Sequence, residues 1–351
     1  MIDPVNLRMD LISDCRQMAI IFMKKLPNID SSQMFKFICN IVINNLHLTQ
    51  YEKNYLIHDL IKTRDSQNII EKVGERRLCK YCNNKVFAIL YCEDCVRNYL
   101  KSKFNNWSTG NNNIDELIQE CQIYSVSPSN VIEWIPFENF ENIMSKTECG
   151  TSLIYTATWK NGPYIEWDAE QQILKRDGKG TYILKSLNNS NKVEERWLKE
   201  VIENLFIEKY SQSLVKCYGF TKDPITQNYM LVLQHMDCNL REFLTKNPNL
   251  HWKIKFKIVR NISNGIRKLH KLSNSAHKNL HPRNVLVDEA KIHCVISDFG
   301  YKMETLLGKI YENDDVSQAL KLIPLNINSK MTVKNFIKCL ERNFKQLSCL
   351  I

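Results

Sequence analysis

The chain has 351 residues, 44% of them hydrophobic and 25% charged, a balance that excludes disorder and collagen and leaves room for two ordinary domains. Its net charge of +10 would suit an acidic partner, but lysines and arginines are scattered among acidic residues throughout, so the excess reads as an ordinary solvated surface and nucleic acid is not an expected partner. The longest apolar stretches, Met18 to Met23 and Val86 to Cys92, fall far short of the roughly 20 residues that cross a bilayer, so no membrane partner is expected either.

Met1-Ile2-Asp3-Pro4 lacks the basic start and apolar core of a secretory signal, which makes the cytoplasm, or the nucleus, the expected compartment. Thirteen cysteines in such a compartment are kept reduced or bound to metal.

Residues 1–75 read as a helical N-terminal region, with Phe35, Ile38, Ile41, Val42 and Leu46 at helical spacing. A cysteine-rich module with short helices occupies 76–125. The spacing predicts helices from Val96 to about Phe104 and from Ile114 to Cys121, with a loop over Asn105–Asn113. Ser127-Pro128-Ser129-Asn130 reads as a linker.

From Val131 the rhythm changes to short strand-like runs, Leu153–Trp159, Tyr182–Leu187 and Tyr229–Gln234. A helix is predicted over Trp252–His270, with Ile258, Val259, Ile262, Ile266 and Leu269 on one face, and two strands follow at Asn284–Val287 and Cys294–Ser297. Strands first and helices later indicate an α+β domain over 131–300, a small sheet lobe before a helical lobe. Residues 301–351 read as a divergent helical tail, with Thr332 as N-cap and Val333, Phe336, Ile337, Leu340, Phe344 and Leu347 on one face.

Cys79-Lys80-Tyr81-Cys82 and Cys92-Glu93-Asp94-Cys95 form C-x2-C-x9-C-x2-C. Each pair can aim two thiolates at one ion, and two such knuckles complete the sulfur tetrahedron that Zn²⁺ prefers. A zinc-ribbon-like module is expected, with Cys79, Cys82, Cys92 and Cys95 as ligands and a short hairpin over Asn83–Tyr91 between the knuckles. Four protein sulfurs leave no open position, so the role is structural. A zinc ribbon can bind nucleic acid or protein, and the ligand spacing alone does not decide which; with nucleic acid not expected from the charge pattern, an unidentified protein partner is the expectation.

The second domain places further motifs in order. Lys185 ends a strand-like run and Glu200 lies fifteen residues later, in a helical run over Val193–Phe206. A lysine that contacts phosphate needs a carboxylate to hold it, and Glu200 is the candidate. His277-Lys278-Asn279-Leu280-His281-Pro282-Arg283-Asn284 is followed, fourteen residues after Asn284, by Asp298-Phe299-Gly300. Asn284 and Asp298 both offer oxygen donors suited to Mg²⁺.

These motifs, with Trp134–Phe137, Ile154–Trp159, Gly162-Pro163, Trp167-Asp168, Leu184–Ser190, Val215–Gly219 and the four-cysteine segment followed by Val96–Leu100, resemble the expanded kinase-like proteins of mycorrhizal fungi. The resemblance covers about residues 76 to 300. It implies a protein-kinase fold, ATP with Mg²⁺ as the nucleotide partner, and serine, threonine or tyrosine hydroxyls as nominal substrates. It also implies a hinge at Gln234-His235-Met236 that recognises adenine, and a phosphate-covering loop at Thr147–Ser152.

Three departures follow. Asn279 stands at the catalytic aspartate, and an amide cannot take the proton of a substrate hydroxyl. Gly150 is the only glycine of the phosphate loop, where Glu148 adds negative charge. Only Tyr301 to Ile351 follows Asp298-Phe299-Gly300, so the helical lobe reads as truncated or divergent, or the chain as cut short. The leading expectation is a weak or inactive kinase-fold protein acting by binding in signalling. Alternatives are an active Ser/Thr or Tyr protein kinase in which Asp298 or a water compensates for Asn279, and a zinc-organised interaction module with a vestigial kinase remnant.

Overall fold

The computed structural model describes residues 7–24, 31–149, 152–187, 190, 213–273, 277, 280–290 and 292–297. It divides into two units, Met1–Asp237 with Asp288–Lys291, and Cys238–Val287 with Ile292–Ile351. The expected helix over Val193–Phe206 and the tail over 301–351 lie outside the described residues.

The first unit opens with three helices, α1 (Met9–Lys24), α2 (Ser31–Ile43) and α3 (Gln50–Glu71). Ile12, Cys15, Ala19, Ile38, Val42 and Leu56 form their common core. Thr49 caps α3 through a reciprocal box with Glu52, and Arg8 clamps the same carboxylate with Nη2 at 2.6 Å. This arginine, reinforced by the Thr49 N–H, pulls the Glu52 carboxyl down to about 2. Leu46 does not share the apolar face of α2: the helix ends at Ile43 and Leu46 is 94% exposed.

The cysteine-rich segment follows as a two-residue ladder, β1 (Arg77–Leu78) against β2 (Lys85–Val86), then α4 (Glu93–Lys101) and α5 (Asn112–Ile123). Ser127–Asn130, read as a linker, lies in a 3₁₀ turn with Ser127 and Pro128 buried.

A six-stranded sheet comes next, in the order β3 (Glu133–Trp134), β9 (Cys217–Lys222), β10 (Tyr229–Gln234), β8 (Gly180–Ser186), β5 (Ser152–Trp159), β4 (Phe140–Cys149). All its pairings are antiparallel except that of β3, which joins β9 in parallel. One face carries an aromatic-rich core in which Phe140, Trp159, Tyr182 and Leu184 meet Met230 and Val232. Trp159, Tyr182 and Tyr218 stack edge to face with centroids 5.3 to 6.3 Å apart.

Between β5 and β8 the chain leaves the sheet as a separate hairpin, β6 (Tyr164–Asp168) and β7 (Ile173–Arg176), which among the described residues pairs only with itself. Its turn is shaped by Asp168, whose Oδ1 accepts the N–H groups of Glu170 and Gln171, both at 3.0 Å. At its base the Arg176 guanidinium donates to the Gly162 carbonyl and to the buried Glu133 carboxylate, both at 2.6 Å, while stacking over Tyr164 at 3.9 Å.

The second unit holds β11 (Cys238–Asn239), α6 (Leu240–Lys246), α7 (Trp252–Ser273), most of β12 (Val285–Asp288) and β13 (His293–Ile296), the strands ordered β11-β12-β13. Ile258, Val259, Ile262, Ile266 and Leu269 are all buried, the predicted face of α7. Among the described residues no helix is long and apolar enough to cross a membrane.

Candidate functional site

The four cysteines of the spacing argument converge. The Sγ atoms of Cys79, Cys82, Cys92 and Cys95 all lie within 4.8 Å of one another, with Cys79 to Cys95 at 3.7 Å and Cys82 to Cys92 at 3.6 Å. A sulfur tetrahedron around Zn²⁺, with bonds of about 2.3 Å, has edges of about 3.8 Å, so donor type and separation both fit this ion.

The two pairs are built differently. Cys79 to Cys82 forms a knuckle inside the β1–β2 turn, closed by the Asn83 N–H on the Cys79 carbonyl at 2.9 Å, with Asn83 at φ 56°. The second pair opens a helix: Cys92 is the N-cap of α4 and its sulfur accepts the Cys95 N–H at 3.3 Å. Two symmetrical knuckles separated by a hairpin are therefore not what forms. The reason is local, because Glu93 and Asp94 favour a helix N-terminus and start the turn before Cys95.

Burial opposes the charged form of Cys79, yet the N–H groups of Cys82 and Tyr81 outweigh it and bring the thiol down to about 6. Burial pushes Cys92 up to about 12 and Cys95 up as well. Cys92 and Cys95 thus resist ionisation beside a Cys79 that ionises more easily, and a divalent cation would favour the charged form of the ligands.

The residues that the sequence reading assigned to phosphoryl transfer are divided between the two units. Lys185 sits near the end of β8, across from Ile154 on β5 and Leu231 on β10, and only 8% of it is exposed. Its neighbour Leu184 faces the aromatic core, so strand alternation turns Lys185 to the other face of the sheet. Counted from β4, β8 is the third strand of the sheet in chain order, the place of the phosphate-pairing lysine in protein kinases. Gln234 ends β10 and donates its N–H to the Lys216 carbonyl at 2.8 Å, and Met236 just beyond is buried.

In the second unit Asn284 is 5% exposed and donates its N–H to the His281 carbonyl at 2.9 Å. Its own carbonyl accepts the N–H of Ser297 at 2.8 Å and the Ser297 hydroxyl at 3.1 Å. His277 Nε2 lies 3.0 Å from the Ser297 carbonyl. The segment expected to form the catalytic loop and the residue before Asp298 are thus laced together by three contacts. Gly150, Glu200, Asn279 and Asp298 lie outside the described residues.

Comparison with known proteins bears on the same segment. Residues 152–326 match the family described as protein tyrosine and serine/threonine kinase. Receptor-interacting serine/threonine-protein kinase 4 of Mus musculus is 34% identical over 88 residues, covering 25% of this chain and 11% of that protein. Ankyrin repeat and protein kinase domain-containing protein 1 of Homo sapiens is 32% identical over 90 residues, again 25% of this chain and 11% of the relative. The chain thus spans about a tenth of the length of the curated relatives it matches. It carries a protein-kinase family domain.

The sequence reading missed the β6–β7 hairpin and β3, which turn out to connect the cysteine cluster to this domain. Glycine at 162 and the aromatic Trp167 beside Asp168 were the available signals.

Proposed function

We propose that this chain is a kinase-fold protein that binds Mg-ATP, transfers phosphate weakly or not at all, and acts by binding in signalling. The single observation that carries the reading is Asn279 at the slot of the catalytic aspartate. Without a group to take up the hydroxyl proton, transfer loses about 10² to 10⁴ in rate. Positioning and electrostatics, the larger part of phosphoryl transfer, depend on residues the chain retains.

In this reading Lys185 holds the nucleotide phosphates and Glu200 positions Lys185. Asn284 and Asp298 hold Mg²⁺, which supplies neutralisation of charge on the phosphate oxygens. The lacing of Asn284 to Ser297 supports this pairing, since it sets the backbone of one donor residue beside the residue preceding the other. Because the Gln234 N–H is committed to Lys216, adenine recognition falls to other hinge groups, Met236 among them. Gly150 is left with little capacity to close backbone over phosphate, which weakens nucleotide affinity. Cys79, Cys82, Cys92 and Cys95 hold a structural Zn²⁺, and the protein partner docks through the assembled chain.

The test is a thermal-unfolding shift of the zinc-loaded chain with Mg-ATP, with Lys185→Met and Asp298→Asn as controls. Ligand at about 100 times its dissociation constant adds about 2.7 kcal/mol of stability. A shift lost in both variants is expected, and its absence at millimolar nucleotide would overturn the nucleotide-binding reading.

A further inference from the structure

The cysteine cluster is not packed as a separate finger. Cys79, Cys92 and Cys95 share one buried core with Ile69 of α3, with Val126 and Val131 leading into β3, and with Trp167 and Leu174 of the β6–β7 hairpin. Trp167 and Leu174 are directly paired across the hairpin, so one apolar face of it is presented to this core. Tyr99 of α4 meets Trp167 edge to face at 5.8 Å. A lone two-stranded hairpin is marginal in water, and this one pairs with no other strand among the described residues.

Polar contacts run through the same region. The loop before Cys92 is held by two carboxylates on separate elements: Glu93 accepts the Phe87 N–H at 2.7 Å, and Asp65 of α3 accepts the Leu90 N–H at 2.9 Å. The Tyr91 hydroxyl donates to the Val126 carbonyl. Lys62 of α3 donates to the Ile165 carbonyl of β6 at 3.4 Å. The loop whose course the second cysteine pair sets is therefore tied both to the N-terminal helices and to the chain entering the sheet.

We infer that the Cys79–Cys82–Cys92–Cys95 cluster is a metal-dependent clamp: Zn²⁺ bound there holds α3 and the β6–β7 hairpin on one core, so metal occupancy governs the docking of that hairpin. The segment from Arg77 to Lys101 is too short to build a stable core alone, which makes its order depend on the ion. Without the ion, Trp167 and Leu174 lose their cover. The base of the hairpin stays fastened by Arg176 on Glu133, so release is concentrated toward the turn at Asp168. The inference rests on the zinc reading above and is independent of nucleotide binding.

By reciprocity, if the ion favours the docked hairpin, the docked hairpin favours the ion by the same factor. Trp167 is no ligand, yet Trp167→Ala is expected to weaken Zn²⁺ binding of the full chain by about 5- to 150-fold, with Trp167→Phe recovering most of it. The experiment first measures Zn²⁺ stoichiometry and affinity for the full chain and both variants. It then follows amide exchange before and after chelation. The expected result is one ion per chain, weakened by Trp167→Ala, with exchange on chelation rising at least about tenfold in residues 166–174 as well as 77–101. Exchange confined to 77–101 overturns the clamp while leaving the metal site standing. So does a Trp167→Ala chain that binds Zn²⁺ as tightly as the parent, and should that chain not fold, the parent's own exchange pattern on chelation, spread to 166–174 or confined to 77–101, decides in the same way. A full chain that binds no Zn²⁺ overturns clamp and metal site together.

Discussion

Arg176 and Glu133 face each other across the junction of the inserted hairpin and the added edge strand, Nη2 to Oε2 at 2.6 Å, with Glu133 buried. Burial pushes the Glu133 carboxyl up and the Arg176 guanidinium opposes the rise. The same arginine donates to Gly162 and covers Tyr164, so one side chain fixes the exit of the hairpin, its own strand partner and β3. Arg176→Met leaves an uncompensated buried carboxylate and is expected to cost about 3–5 kcal/mol. Replacing both partners, Arg176→Met with Glu133→Leu, recovers most of that loss. Urea denaturation of the three variants checks both statements.

Gly162 and Gly178 close the base of the hairpin and separate two effects. Both have positive φ, +60° and +86°, but a Cβ on Gly162 would meet the Gly178 carbonyl oxygen at 2.1 Å, whereas one on Gly178 meets nothing within 4 Å. Gly178→Ala is expected to cost only backbone strain, about 1 kcal/mol. Gly162→Ala adds a backbone clash and is expected to cost at least about 3 kcal/mol. The difference in thermal midpoint between the two variants is the measurement.

Lys216 precedes β9 with its ammonium 4.7 Å from the Tyr218 ring centroid. Burial first, and the neighbouring Lys62 second, lower it to about 8, with Asp177 opposing. The unfolded lysine keeps its proton to about pH 10.4. Between about 8 and 10.4 the unfolded chain binds more protons than the folded one, so this group makes stability rise with pH there and costs stability below. Lys216→Met is expected to stabilise the fold at pH 7 by on the order of 1 kcal/mol, net of the lost cation–π contact, and to flatten the rise. Denaturation midpoints at pH 7, 8, 9 and 10 test the sign.

In the proposed reading, Asn279→Asp places a proton acceptor at the catalytic-loop slot. If Mg-ATP is held by Lys185, Asn284 and Asp298, phosphotransfer to a generic protein substrate is expected to increase by about 10² to 10⁴ over the parent. Transfer of labelled γ-phosphate by the two chains reads the gain, and Asp298→Asn in the same background should remove it.

What sequence reading captured was local in origin. Two C-x2-C pairs announce four thiolates because each pair is a single turn of chain, and the cluster forms. Ile258 through Leu269 mark a buried face because helical periodicity is written in consecutive residues, and Lys185 falls on its strand for the same reason. Leu46 shows the limit: it keeps the helical spacing of α2 but lies beyond the last turn, in water.

The sequence alone picked out the four cysteines that cluster and fixed the order of Lys185, Asn279, Asn284 and Asp298 along the chain, since each is a matter of residue identity and short spacing. Tertiary structure decided the rest. Tyr164–Asp168 and Ile173–Arg176 are too short to read as strands, and it is burial of Trp167 against Tyr99, 68 positions away, that gives the hairpin a core. Glu133 and Trp134 become a sheet edge only because Gly219 allows β9 close approach, a Cβ there meeting the Glu133 carbonyl oxygen at 2.0 Å. Such pairings join residues distant in the chain, and their free energy exists only once the partner surface has formed.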